Sequence, residues 1–189
     1  MDVNDLKSLF AEANKRMNVA LEHVRHELAG VRTGRASVTI LDPVHVEAYG
    51  ARMPLNQLAS LSVPEPAMIV AQPFDPSQLA AIEKAIRASD LGLNPANDGK
   101  VVRIPIPALT EERRKELSRH VHKLTEEGRN SVRQVRRDAN ERLKKLLKEH
   151  KISEDDERKG LDEIQKLTDN HIKQIDELQK KKDTELLGK

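Results

Sequence analysis

Apolar residues recur in steps of three and four at Leu6, Phe10, Ala13, Met17, Leu21, Val24, Leu28 and Val31, which holds them on one face of a helix. The pattern predicts an amphipathic helix within residues 1–33, closed by Gly34, because glycine readily takes the left-handed conformation that ends many helices. A longer stripe runs Leu117, Val121, Leu124, Gly128, Val132, Val135, Ala139, Leu143, Leu146. Its steps of 4, 3 and 4 define an eleven-residue period, about 3.67 residues per turn, so the seam stays nearly straight and does not wind into a left-handed coil. Thr110 offers the cap oxygen and Glu111 and Glu112 suit the helix dipole, although Arg113 stands where a capping box has an acid. A third helix is announced by Ser153 and the acids at 154–157. It buries Leu161, Ile164, Leu167, Ile172, Ile175 and Leu178 and carries Lys180, Lys181 and Lys182 toward its negative end. Three such stripes are buried only against one another, and helices of roughly 30 to 40 residues at about 1.5 Å per residue make that bundle elongated.

The middle of the chain changes character, since all nine prolines lie from Pro43 to Pro107. Val44, Val46 and Ala48 alternate with His45 and Glu47, a period-two strand ending at Gly50. Met68, Ile69 and Val70 make a short buried run, and Val101, Val102, Arg103 and Ile104 make another, entered through the Asp98-Gly99 turn. A short helix over residues 76–89 is expected, with Asp75 as cap, Pro76 at its first position and Gln78 completing a box-like pair. The fold class is therefore α+β: an elongated three-helix bundle with an inserted small β/α/β domain. Residues 1–33 give the first bundle helix, 34–108 the insertion and 109–189 the second and third helices. The two connections, at 34–35 and 105–108, lie close together in such a fold, so both flex about one hinge.

Composition narrows the chemistry. The hydrophobic share is 37%, the charged share 34% and the only aromatics are Phe10, Tyr49 and Phe74, which argues against an aromatic-centred enzyme core. Without cysteine there is no disulfide, no Cys-ligated zinc and no thiol nucleophile, in keeping with a reducing cytoplasm. The longest uncharged run, residues 53–64, is too short and polar to span a bilayer, and the acidic start is unlike a signal peptide. The expectation is a soluble, unprocessed cytoplasmic protein with no membrane association.

The net charge of +2 hides strong segregation, for residues 111–151 carry fourteen basic against eight acidic side chains. Displaced by one residue from the apolar seam, one flank reads Ser118, His122, Thr125, Arg129, Arg133, Arg136, Asn140, Lys144, with no acid. The other flank mixes His120, Lys123, Glu127, Asp138, Arg142 and Lys145 and reads as an ordinary solvated face. The planar fork of arginine suits phosphate, so Arg129, Arg133 and Arg136 point to a polyanion. Scarcity of aromatics favours recognition of folded RNA by shape and backbone over stacking on single strands. His23 with His26, or His120 with His122, lack a readable third ligand, so no metal is expected. Residues 92–100 have the wrong spacing for a phosphate loop, with Val101 where Ser or Thr would bind magnesium. No nucleophile elbow is present, and the expectation is no catalytic site and no cofactor. Two other readings use the same residues: a protein-binding helical adaptor without an RNA role, and an enzyme, which would need a pocket of converging titratable groups.

Five separated motifs carry a family resemblance: Arg32-Thr33-Gly34-Arg35-Ala36-Ser37, Ala88-Ser89-Asp90-Leu91-Gly92-Leu93-Asn94-Pro95, Leu109-Thr110-Glu111-Glu112-Arg113-Arg114, Val135-Arg136-Arg137-Asp138-Ala139-Asn140 and Ile152-Ser153-Glu154-Asp155-Asp156. In this order, through essentially the whole chain, they resemble the bacterial ribosome recycling factors. The resemblance implies an L shape with the bundle as the long arm, and a monomer that binds the post-termination ribosome with its bundle on large-subunit ribosomal RNA. It further implies action with elongation factor G, which hydrolyses the GTP, to separate the subunits and free messenger and deacylated transfer RNA. Carried over residue by residue, it implies ribosome-binding arginines at Arg32, Arg133, Arg136 and Arg137 and a hinge at Gly34, Arg35, Ile106 and Pro107. Arg129 is a candidate from the acid-free stripe alone.

Overall fold

Asp5 sets the first boundary, its carboxylate accepting the Ser8 N–H at 2.9 Å and the Ser8 hydroxyl at 2.7 Å. In the computed structural model, which describes residue 1 and residues 3–188, helix α1 (Leu6–Ala29) follows that cap. It ends earlier than the Gly34 stop predicted from sequence. Gly30, with an ordinary right-handed φ of −74°, closes it by donating to the Glu27 and Leu28 carbonyls, and Gly34 (φ +76°) shapes a later turn. Strands β1 (His45–Ala48), β2 (Ala51–Pro54), β3 (Ala59–Glu65) and β4 (Met68–Pro73) come next, then helix α2 (Leu79–Ala88) and strands β5 (Ala96–Asn97) and β6 (Val102–Pro105). Helices α3 (Glu111–Lys148) and α4 (Glu154–Leu187) complete the chain. The residues divide into two compact units, Met1–Thr33 with Glu111–Lys189, and Gly34–Thr110.

In the first unit α1, α3 and α4 pack on one another. Leu9, Ala13, Met17, Leu21, Val24 and Leu28 are buried on α1, with Leu9 taking the inner place expected for the half-buried Phe10. The seam of α3 is interior as the eleven-residue period requires, with Val121, Gly128, Val132, Ala139, Leu143 and Leu146 buried. Ser153 caps α4 in a reciprocal box, its hydroxyl accepting the Asp156 N–H while the Asp156 carboxylate accepts the Ser153 N–H, each at 3.1 Å. The interior also holds polar side chains, and the four buried ones, Thr125, Arg142, Thr168 and His171, are partnered, whereas the buried Asn140 Oδ1 is not. Thr125 donates to the Gln179 side chain at 2.6 Å, Thr168 to the Ile164 carbonyl at 2.8 Å, and His171 bridges the Leu167 carbonyl and the Asn18 amide. Arg142, read from sequence as part of a solvated flank, is 9% exposed and donates to the Val3 carbonyl at 2.6 Å and the Asn4 side chain at 2.9 Å.

The second unit has its own core, with Val46, Leu55, Ile69, Ile82, Ile86, Val102 and Ile104 in one buried cluster. Strands β1 and β2 form a hairpin, and a four-stranded antiparallel sheet runs β3-β4-β6-β5 with Ile69 opposite Ile104 and Ala71 opposite Val102. The helix expected over 76–89 divides into a 3-10 turn, Pro76–Gln78, and α2 proper; Asp75 caps the turn by accepting the Ser77 N–H, and Gln78 makes no box contact. Strand β3 escaped sequence reading because it contains Pro64. It survives as an edge strand whose register shifts between Ser62 and Glu65, where a missing N–H costs no ladder bond.

Gly128 marks the tightest approach in the bundle, since a Cβ there would lie 2.2 Å from Val24 Cγ2. Alanine is the better helix former by about 1 kcal/mol, but overpacking against a β-branched neighbour costs roughly 1–3 kcal/mol, so the clash decides the sign. Gly128→Ala should therefore lower the denaturation midpoint, and adding Val24→Ala should restore part of the loss. Urea unfolding of the single and double variants checks both directions.

Candidate nucleic-acid interface

The face that α3 turns to solvent is found by moving two residues from its seam, not one. Arg119, Lys123, Glu126, Asn130, Gln134, Arg137, Glu141, Lys145 and Lys148 are all exposed, five cations against two acids. The flank displaced by one residue is instead the contact with α4, and its acid-free character is corrected by acids from that helix. Asp183 accepts from Ser118 at 2.9 Å and pairs with His122 at 2.7 Å. Asp176 accepts Arg129 Nη1 at 2.7 Å.

Arg129 is consequently a strut. Its Nε donates to Glu126 at 2.7 Å and its Nη2 to Gln179 at 3.1 Å, and only 15% of its side chain is exposed. Arg133 is engaged on one side, Nη1 reaching Glu126 at 2.9 Å and Asn130 at 3.0 Å. Arg136 and Arg137 differ in kind, because their partners are neutral: Gln165 Oε1 at 3.4 Å and Gln134 Oε1 at 2.8 Å. An amide oxygen orients a guanidinium without cancelling its charge. Arg32 is exposed beyond the end of α1 and has no carboxylate partner among the described residues. The same holds for Arg119, Lys123, Lys144 and Lys148. Arg119 and Lys148 were not among the cations expected from sequence, because they lie two positions from the seam, outside both flanks that adjoin it.

The residues expected at the joint are split in character. Gly34 has a left-handed backbone and would bring a Cβ to 3.1 Å from Leu109 Cγ, while Arg35 and Pro107 are exposed. Ile106 is tied down instead: its N–H donates to the Ala67 carbonyl at 2.8 Å, beside the Ala36 N–H to Pro66 bond at 2.7 Å, and its side chain packs on the core of the second unit.

Other chemistry is thinly represented. A cleft of about 690 Å³ lies between the β1–β2 hairpin and α2 and is lined by Val44, His45, Arg52, Lys84, Ala85 and Leu91. No group of three or more potential metal ligands occurs among the described residues, and none of their helices is long and apolar enough to cross a membrane.

A family model described as ribosome recycling factor matches residues 24–187. The chain belongs to the ribosome recycling factor family. It is 55% identical to the ribosome-recycling factor of Rubrobacter xylanophilus over 98% of both chains, and 51% identical to that of Thermus thermophilus over 97% of this chain and 99% of the other. Among solved structures, a ribosome recycling factor in solution is 45% identical over 99% of this chain and 100% of the other, with a TM-score of 0.74. A second, the T. thermophilus factor described together with E. coli elongation factor G bound to the E. coli post-termination complex, is 51% identical over 97% and 99%, with a TM-score of 0.63. A ribosome recycling factor is a translation factor and not an enzyme.

Two outcomes follow from the difference between strut and open cation. Arg129→Ala should destabilise the bundle by on the order of 1 kcal/mol, while Arg137→Ala should stay within about 0.5 kcal/mol of wild type, as read by thermal melts. The Arg129 hydrogen bond, seconded by Arg133, holds the Glu126 carboxyl below its usual range. A lowered native pKa stabilises above the ordinary value near 4.5 and loses that contribution as pH falls through the native value. Glu126→Gln should therefore melt lower than wild type at neutral pH, with the gap closing as pH falls below the ordinary carboxylate value.

Proposed function

We propose that this chain acts in the cytoplasm as a monomeric, non-catalytic recycling factor. On this reading it binds the post-termination ribosome and, with elongation factor G and GTP, promotes separation into subunits and release of messenger and deacylated transfer RNA. The bundle anchors it to large-subunit ribosomal RNA through Arg32, Arg133, Arg136 and Arg137, within the field of the exposed cations of α3. One observation carries the assignment: Arg136 and Arg137 are positioned by glutamine amides, so their forks are pre-oriented yet uncompensated. Ordering in advance lowers the entropic cost of meeting a phosphate. Arg129 contributes indirectly, by holding α3 to α4. Movement between the two units is assigned to Gly34, Arg35 and Pro107, with Ile106 as the fixed edge of the joint, a reading supported by its bond to Ala67.

Neutralising three or four phosphates releases roughly 0.7 to 0.9 ions each, so a fourfold rise in salt should weaken ribosome binding by a factor on the order of 20 to 150. Replacing Arg136 and Arg137 together by alanine should lower both the affinity and that slope, measured by sedimentation with 70S ribosomes. Binding indifferent to salt, and pull-down of the partner that survives ribonuclease, would return the helical-adaptor reading.

A further inference from the structure

The turn joining β1 to β2 consists of Tyr49 and Gly50, and both backbones are left-handed, with φ of 53° and 74°. A two-residue hairpin loop demands positive φ at both positions, which asparagine, aspartate and glycine accept and a bulky side chain resists. Tyrosine is thus a locally unfavourable choice, and burial does not compensate it, since the residue is 66% exposed. Its hydroxyl donates to Asp75 Oδ2 at 2.5 Å, while the other oxygen of Asp75 accepts the Ser77 N–H at 2.9 Å. The preceding residue, Phe74, is 68% exposed, and its backbone is fixed by donation to the Leu58 carbonyl at 3.0 Å. Two of the three aromatic side chains of the protein are therefore held in solvent on segments tied together by one hydrogen bond, and the third, Phe10, is half-buried on α1.

Strain retained at an exposed aromatic points outward to a contact, because within the unit only the Tyr49 hydroxyl is used, by Asp75, and the apolar faces of both rings stay in solvent. Rigidly held aromatics are the usual anchors of protein interfaces. The local charge chooses between classes of partner. Residues 48–51 and 73–78 contain no lysine or arginine and one acid, Asp75, whose carboxyl is held below its ordinary value first by the Tyr49 hydroxyl. An ionised carboxylate without a neighbouring cation repels phosphate, which disfavours base stacking in RNA.

We propose that Tyr49, Phe74 and Asp75 form a docking point for a protein surface bearing an apolar pocket rimmed by lysine or arginine. The partner is met on the post-termination complex, so the proposal rests on the recycling function above.

The test uses the full chain with purified 70S post-termination complexes, elongation factor G and GTP. Phe74→p-benzoylphenylalanine should, on irradiation, give an adduct to protein that resists ribonuclease. The double variant Tyr49→Asn with Phe74→Ser should split subunits about tenfold more slowly or worse at subsaturating concentration. Tyr49→Phe keeps the ring and should remain within about twofold of wild type. Tyr49→Asn alone should melt no lower than wild type, because asparagine suits the turn. An adduct only to ribosomal RNA, no adduct, or unchanged splitting by the double variant would each overturn the proposal while wild type remains active. A wild-type chain that splits no ribosomes would refute the recycling function instead, and the docking point with it.

Discussion

The burial of a single narrow seam on α3 governs the arrangement of charge in this protein. A 38-residue helix with so few apolar side chains has one stripe to hide, and α1 and α4 share it. Once the seam is fixed, helix geometry leaves no freedom: the next stripe toward α4 must meet whatever that helix presents, and the stripe beyond faces water. The acids Asp176 and Asp183 of α4 stand at the first of these, so Arg129 and His122 become interhelical ties. The second keeps its cations. Displacing the seam by one residue toward the outer stripe would carry its cations into the contact with α4 and make struts of them.

That sensitivity gives a physical meaning to the polar groups inside the bundle. An almost straight seam of interchangeable aliphatic side chains resists sliding poorly, because a helix displaced by a turn finds similar partners. Thr125 against Gln179, His171 against Asn18 and Arg142 against Val3 and Asn4 have no such substitutes. Losing the partner of His171 or Arg142 leaves a buried polar atom unpaired, at roughly 1–3 kcal/mol, whereas Thr125 falls back on the Val121 carbonyl of its own helix. The close approaches at Gly128 and Gly160, where added Cβ atoms would meet Val24 and Leu143, act in the same direction. Together they fix axial register, and register decides which arginines point outward.

Periodicity made the helices and their inner faces legible in the sequence, and the Ser153 cap with its acids located the start of α4 to the residue. Contacts between distant segments were not legible, and these account for what was missed. Arg142 looks like any cation on a mixed flank until the N-terminal segment folds across it. The stripe of Arg129 contains no acid of its own, and nothing local announces that Asp176, 47 positions on, will face it. Strand β3 was hidden by Pro64, whose effect depends on whether its strand lies at an edge, which is a property of the sheet and not of the strand. Gly34 alone was read as the stop of the first helix, but the chain leaves the helix at Gly30, where its N–H meets the carbonyls of Glu27 and Leu28.

The chemistry of the molecule divides along the same boundary as its packing. Each unit has its own buried cluster. Among the described residues, cations without carboxylate partners belong mainly to the bundle, whose one aromatic is half-buried and offers no exposed ring. The inserted unit carries six basic and seven acidic side chains over residues 34–110 and displays the remaining two aromatics. It is poorly equipped to hold a polyanion and well equipped to meet a protein. A chain of near-zero net charge thus keeps the arginines of α3 and its two exposed aromatics on separately folded units.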